Sequence, residues 1–568
     1  MISLPDSSFV DFSAYRATNA HIVWNNSMGL RQARLNEHAY FVPLPGDDAS
    51  CVDSGDAKVF RGERYGGGGI GVNGGGARCG LHGAIQIKGI GPNVLAGREG
   101  PYWHSYGGES LAGSIREAIW GEICNAVLPH GAVRVHGVVD TGTSVPRHGA
   151  MSSQLPVSTR RGLTIREAAL RPAHYIRALE YRRDDEKFHG IGSDAGRTRL
   201  AVGSLPATCR SLYQITSGSD VEAINTGLLC MATRFAQQHA ASWAKRMIHG
   251  TISASNLSLD GRAIDFGTMS SVSDYGRIIV AKAGFDAWQT SPISDVLREL
   301  LRTLIKYVPF PDKLRLLAYA ELLNTFTEAC DTSKKKEFVK LIGFPQSFVE
   351  EAGVASFDRL YDCMVEIISA GNLEPFRLYS ACAVAGADMP HQMGEYRLND
   401  ILTTVALHAG RDEADHALRP QLADEALRKR FIQEYFAIRE VYLARFSEQG
   451  RGAAMFLLAL DSVRLNQDLP GLYRHHLDRR IEAAVNDGID LQSFSDAIVL
   501  NAVAMLGNRA VDDAAPTRTG KDRFSLSVQV GKDENGVRQN RPLQIDLDRL
   551  ILSSEQKNIL RDLCGKAF

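Results

Sequence analysis

The chain lacks several features that would place it quickly. It has no run of about 18 apolar residues, the length a bilayer-spanning helix needs, so no membrane segment is expected. Neither sign of charge is in excess. With 64 Lys and Arg against 65 Asp and Glu, the formal net charge is −1, and no field draws nucleic acid or an anionic membrane surface. The nine cysteines (51, 79, 124, 209, 230, 330, 363, 382 and 564) include no CxxC, which argues against a zinc ribbon or a dithiol redox pair. Their odd number suits a reducing compartment. The first residues, MISLPDSSFVDFSAYR, do not read as a secretory leader. A cytoplasmic protein is the expectation. No repeat of 20–50 residues is visible, and oligomeric state is not readable.

What is present is length and glycine. With 568 residues, 44% of them hydrophobic, the chain can build two or more cored domains. Residues 1–60 read as a mixed, loop-rich N-terminal extension, and 61–220 as a glycine-rich, β-containing lobe. Residues 221–310 begin a second lobe, 311–510 are helical, and 511–568 form a β-hairpin and tail. Within 62–91 the sequence is RYGGGGIGVNGGGARCGLHGAIQIKGIG. Such glycine content suits a flexible linker, or a mobile flap that orders over a nucleotide. It also suits a phosphate cradle at Gly66–Gly76, with Gly74, Gly75 and Gly76 as contacts, because glycine lets backbone N–H groups approach an anion. The alternation Ala84-Ile85-Gln86-Ile87-Lys88 that follows predicts a strand. Ile115, Ile119 and Ile123 predict a helix over Glu109–Ile123, with Glu117 on a neighbouring face. Residues 132–139 read as a strand and 228–248 as a long helix. Ser291-Pro292 is a helix-start signal, and the pattern from 293 to 510 is almost wholly helical, clearest over 423–446. Phe524–Val530 and Leu543–Leu547 alternate around a turn at Asn535-Gly536.

The segment His249–Gly267, HGTISASNLSLDGRAIDFG, carries the most chemistry. Asn256 precedes Asp265 by nine residues, across a turn predicted at Asp260-Gly261. An amide oxygen and a carboxylate converging from two arms of a short hairpin can hold Mg²⁺ against nucleotide phosphates. Alone, Asn256 is a turn residue, Lys88 a surface lysine, Glu117 a solvated helix carboxylate and His249 a structural histidine. In order along the chain, a glycine loop, a strand lysine, a helix carboxylate and the Asn–Asp pair are the parts needed to handle ATP phosphates.

With those parts in view, the chain resembles the selenoprotein O family of kinase-like protein adenylyltransferases. The family pattern HGVxNTDNMSIxGxxIDYG aligns without a gap to the His249–Gly267 segment. Lys88-Gly89-Ile90-Gly91, Ile115-Arg116-Glu117, Tyr65-Gly66-Gly67, Gly74-Gly75-Gly76, Ala173-His174-Tyr175-Ile176-Arg177 and Trp288–Pro292 resemble further family segments. The likeness spans roughly 60–305. It implies a two-lobed protein-kinase-like α+β fold, here with a large additional helical C-terminal region. It also implies ATP and Mg²⁺ as cofactors, and transfer of AMP to a protein or peptide acceptor. By resemblance, Asn256 and Asp265 are the metal ligands, Lys88 and Glu117 belong to the catalytic set, and Arg177 contacts phosphate. The family's second arginine position is Leu170, leaving Arg166 or Arg171 to substitute. Ser255 stands where the family places an Asp as general base, and a hydroxyl is a poor proton acceptor near pH 7. Three explanations stay open: another base such as Asp260 or His249; an acceptor already ionised, as in peptide maturation by carboxylate adenylation; or a pseudokinase that binds ATP without catalysis. The family's C-terminal Cys/selenocysteine signature is absent, since Cys564 stands alone.

Overall fold

The computed structural model describes residues 4–567 except 27–29, 31, 45, 69–73, 97–106, 147–157, 180, 182–190, 274, 276–284, 371–396, 510–516, 521 and 533–537. It is a mixed α and β structure. An eight-stranded sheet has the order β2-β7-β8-β6-β5-β4-β1-β3, with every neighbouring pair antiparallel. Its strands are β1 (Phe9–Ala17), β2 (His21–Asn25), β3 (Tyr40–Phe41), β4 (Val52–Glu63), β5 (Cys79–His82), β6 (Ile85–Lys88), β7 (Val135–Pro146) and β8 (Ser158–Glu167). Residues 1–60, read from sequence as loop-rich, therefore supply β1, β2, β3 and most of β4. Their alternation is blurred because polar side chains sit on both faces, as in the exposed stretch Asp53–Ala57.

The pleat of β6 matters most. Ile87 joins a buried apolar cluster with Phe60, Leu163 and Ile165, and Ile85 packs against it. Gln86 and Lys88 point to the other face, opposite Arg166 and Thr164 of β8. That polar face is covered by the Leu111–Val127 helix, whose N-cap Ser110 accepts the Gly113 N–H. This helix is buried almost all round, so it is a core element and not an amphipathic surface one. Its outer side shares one apolar cluster with Phe456 and Leu460 (helix Glu448–Leu465), Leu477 (helix Arg474–Asn486), Ala502 (helix Leu491–Leu506) and Phe524 of a C-terminal strand. The chain's last 120 residues thus back the helix that carries Glu117.

Elsewhere, local signals and structure agree in kind and differ in extent. The long helix runs Asp220–Ala244 from a capping box at Ser219 and Glu222. It stops before Met247–Ile248, which forms β9 and pairs with β10 (Ser270–Ser271). The next helix begins at Phe285, not at Ser291-Pro292, and contains Pro292. Pro292 is the eighth residue of this helix, past its first turn, so its missing N–H forfeits one backbone bond and its ring crowds the carbonyl four residues back. The 423–446 pattern is the helix Glu425–Leu443, with Leu427, Phe431, Tyr435 and Tyr442 buried. The C-terminal strands β12 (Arg523–Lys532) and β13 (Arg538–Asp546) pair antiparallel, with β11 (Thr517–Gly520) added outside β12. The expected turn at Asn535-Gly536 lies outside the described residues.

Candidate functional site

Lys88, Glu117 and Asp265 meet under the polar face of the sheet. Lys88 Nζ donates to Glu117 Oε1 at 2.6 Å and to Asp265 Oδ1 at 2.7 Å, although Asp265 lies 177 residues away in sequence. Glu117 is held from three sides, since Oε1 also accepts the Phe266 N–H at 2.9 Å and Oε2 accepts Arg166 Nη1 at 3.3 Å. Glu109 Oε2 is 3.8 Å from Lys88 and 3.0 Å from Arg78. Burial alone would lower the Lys88 pKa, but Asp265, Glu117 and Glu109 outweigh it and raise it. Burial likewise pushes Asp265 upward, and Lys88, Arg78 and Arg166 overcome this to hold its carboxyl well below the usual range. Both partners are therefore charged at neutral pH. Burial lifts Glu117 against the pull of Lys88 and Arg166. The Lys88 and Glu117 side chains are 2% and 1% exposed and that of Asp265 is 24%, so Asp265 is the member of the trio that a ligand can reach.

The backbone at Asp265 is unusual. Its φ of 67° is left-handed, and Asp265 is one of three described non-glycine residues with positive φ. Such a conformation costs of order 1–3 kcal/mol and persists where surrounding contacts over-determine it. Here the Lys88 contact and the Phe266 N–H bond to Glu117 fix the residues on either side of the strained peptide.

Asn256 and Asp265 flank a short hairpin in which Leu257 bridges Ala263 and the Gly261 N–H bonds Ser258 O at 2.9 Å. The turn sits at Asp260-Gly261, with Gly261 at φ 89°. Asn256 Nδ2 donates to Thr251 O at 2.8 Å, which among the described residues leaves Oδ1 with only a 3.5 Å contact from Ser255 Oγ. Asp265 Oδ2 has no protein donor among the described residues. These two open atoms are hard oxygen donors of the kind Mg²⁺ takes, with water and phosphate completing its shell. Among the described residues no group of three or more His, Cys, Asp or Glu gathers to hold a metal, so the pair would need phosphate oxygens as partners. His249 Nε2 is 2.9 Å from Ile264 O, and burial lowers its pKa. It braces the hairpin.

The other expected residues divide. Arg171 joins the site: Nη1 donates to Ser255 O at 2.8 Å and Nη2 to Gln86 Oε1 at 3.3 Å. Arg166 also reaches Gln86, at 2.8 Å, and Glu63 closes the network with Gln86 and with His174 Nε2 at 3.1 Å. Arg177 stands apart, with Nη1 on Tyr307 OH at 3.2 Å and its backbone against Gly66, where a Cβ would come within 2.2 Å of Arg177 C. Gly75 bridges Arg64, and the Gly76 N–H is engaged by Glu63 O at 2.9 Å. A Cβ on Gly75 would lie 2.3 Å from Glu63 O. Close packing thus accounts for these glycines, and the Gly76 amide is not free to meet phosphate. Residues 69–73 of the same loop lie outside the described set. Glu63, Gln86, Arg78 and Glu109 were not singled out from sequence. For Gln86 a signal existed, because it shares the alternation that exposes Lys88 to the polar face.

No known protein-family model matches the chain, and no curated protein matches it.

Proposed function

We propose that the protein is an ATP- and Mg²⁺-dependent nucleotidyl (AMP) transferase with a two-lobed kinase-like fold, acting on a protein or peptide acceptor. One observation carries the reading: the Lys88 ammonium bridges Glu117 and Asp265 at 2.6 and 2.7 Å beneath the sheet, with the Asn256 amide across the hairpin. Glu117 orients Lys88, and Lys88 holds the Asp265 carboxylate, the member of the trio a ligand reaches, toward the nucleotide. Arg171, which donates to Ser255 O, holds further phosphate charge. Mg²⁺ on Asp265 and Asn256 would neutralise charge on the phosphates. Incubation with α-labelled and γ-labelled ATP tests the reading. Protein-bound label from the α position alone is expected, whereas label from γ alone would make the protein a phosphoryl transferase. No label from either, across a broad set of acceptors, would remove the transferase reading.

Ser255 favours a second reading, in which the acceptor is a peptide carboxylate activated as an acyl-adenylate. A carboxylate is already ionised near pH 7 and needs no base. Pyrophosphate release that depends on a free peptide carboxylate is then expected, and amidated peptides releasing it equally well would dismiss it.

A further inference from the structure

The position of Ser255 raises the question of what receives a proton if the acceptor is a hydroxyl. Both candidates named from sequence are otherwise engaged. Asp260 sits at the turn tip, its Oδ2 accepting Arg262 Nε at 2.7 Å, and His249 faces Ile264 O. The remaining carboxylates around the site are tied to cations or to a histidine: Asp265 and Glu117 to Lys88, Glu109 to Arg78, Glu167 to Arg262, Asp194 to Arg197 and Glu63 to His174.

One carboxylate is not. Glu299 lies on the Phe285–Tyr307 helix, the helix whose Tyr307 meets Arg177. A Cβ built on Gly67 would lie 3.0 Å from Ala254 Cβ and 3.7 Å from Glu299 Oε2. The Glu299 carboxylate therefore faces the glycine loop at the point where that loop touches the residue before Ser255. Its hydrogen bond comes from the neutral Gly68 N–H, and it makes no ion pair among the described residues. Its neighbour Arg298 pairs with Asp295. Burial lifts the Glu299 carboxyl above its ordinary value, and the Gly68 bond offsets part of that rise. A half-buried carboxylate held by a neutral amide, in no ion pair among the described residues and facing the loop that touches Ala254, is suited to accept a proton.

We infer that Glu299 is the general base that Ser255 cannot be, taking the proton from a hydroxyl acceptor as it attacks the nucleotide. The inference rests on the transferase reading above. In the step, Glu299 removes the proton from the acceptor O–H, and that oxygen forms a bond to the α-phosphorus. The bond from the α-phosphorus to the oxygen bridging the β-phosphate breaks. Pyrophosphate leaves with that electron pair, and Glu299 holds the proton until water removes it.

The test compares wild type, E299Q and E299Q/S255D with α-labelled ATP and a hydroxyl-bearing protein acceptor, alongside the thermal shift each shows with ATP and Mg²⁺. E299Q is expected to slow labelling about 100-fold while keeping the shift, because a general base contributes about 10²–10⁴ in rate. E299Q/S255D is expected to recover labelling, with the new carboxylate replacing the lost one. Three results overturn the inference alone: E299Q labelling as fast as wild type; E299Q losing the ATP shift together with the rate, which makes Glu299 a support of the glycine loop; or the double variant labelling no faster than E299Q. Wild type that takes no label removes both this inference and the transferase reading.

Discussion

Replacing Lys88 with Met keeps the side chain's reach and deletes its charge. The variant leaves Glu117, 1% exposed, and Asp265, 24% exposed, without the ammonium they share. Breaking a buried pair from one side costs about 3–5 kcal/mol, mostly because a desolvated charge loses its partner. Two features favour the lower end. Arg166 remains 3.3 Å from Glu117 Oε2, and Asp265 keeps some solvent. A loss of about 3 kcal/mol is therefore expected, read by urea unfolding through tryptophan emission, to which fully buried Trp120 on the Glu117 helix contributes. Asp265→Asn should cost less in the Lys88→Met background than in wild type, with a coupling of roughly 0.5–3 kcal/mol. The pH dependence has a definite sign. Asp265 is depressed, so its contribution is complete above the unfolded carboxylate value near 3.9 and fades as pH falls through the folded value. Lys88 is raised, so its contribution is complete below about 10.4 and fades as pH rises through the folded value. The Asp265 and Lys88 contributions to the gap between wild type and variant should be flat from about pH 5 to 9. Glu117, raised by burial and raised further once Lys88 is gone, should widen the gap as pH rises. A gap below about 1 kcal/mol, the range of exposed pairs, additive double variants, or a gap closing at neutral pH would refute the buried triad.

Three further outcomes follow from the geometry. ATP with Mg²⁺ at a hundredfold excess over Kd should stabilise the protein by about 2.7 kcal/mol, and Asp265→Ala or EDTA should abolish the thermal shift; a shift surviving Asp265→Ala would dismiss the metal assignment. Gly75→Ala should lower stability by about 1–3 kcal/mol through overpacking against Glu63 O, whereas Gly68→Ala, whose Cβ meets nothing within 4 Å, should barely change the melting temperature; equal effects would contradict the packing of the loop. A chain ending at Phe446 should fail to fold as a soluble unit, because the Leu111–Val127 helix would lose the apolar partners contributed by residues 456–563; a cooperative melt from that fragment would show the packing to be dispensable.

Much of the candidate site was legible because its parts are local patterns. The alternation Ile85-Gln86-Ile87-Lys88 sets Lys88 on a strand, and the isoleucine spacing sets Glu117 on a helix. The turn at Asp260-Gly261 is written in its residue types. Legibility failed where a residue's role depends on what faces it. Arg166 and Arg171 look alike in sequence, yet Arg171 alone reaches Ser255 O. Glu299 lies in a helical stripe where nothing marks it from Glu328 or Glu337, and only the approach of Gly67 distinguishes it. Gly74–Gly76 suggested an anion cradle, and the packing of Gly74 against Tyr181, Gly75 against Glu63 and Gly76 against Tyr65 supplies a different reason for those glycines.

By itself the sequence determined the absence of a long apolar span, the near-neutral charge, the order of the chemical groups along the chain, and the elements on which they ride. These follow from composition and from the short periods of helix and strand. Tertiary structure decided the rest: that residues 9–63 extend the sheet carrying Lys88, that an ammonium and a carboxylate 177 positions apart meet at 2.7 Å, and that the last 120 residues back the Glu117 helix. Contacts across such separations depend on which faces pack together, and a one-dimensional pattern records each face without recording its partner.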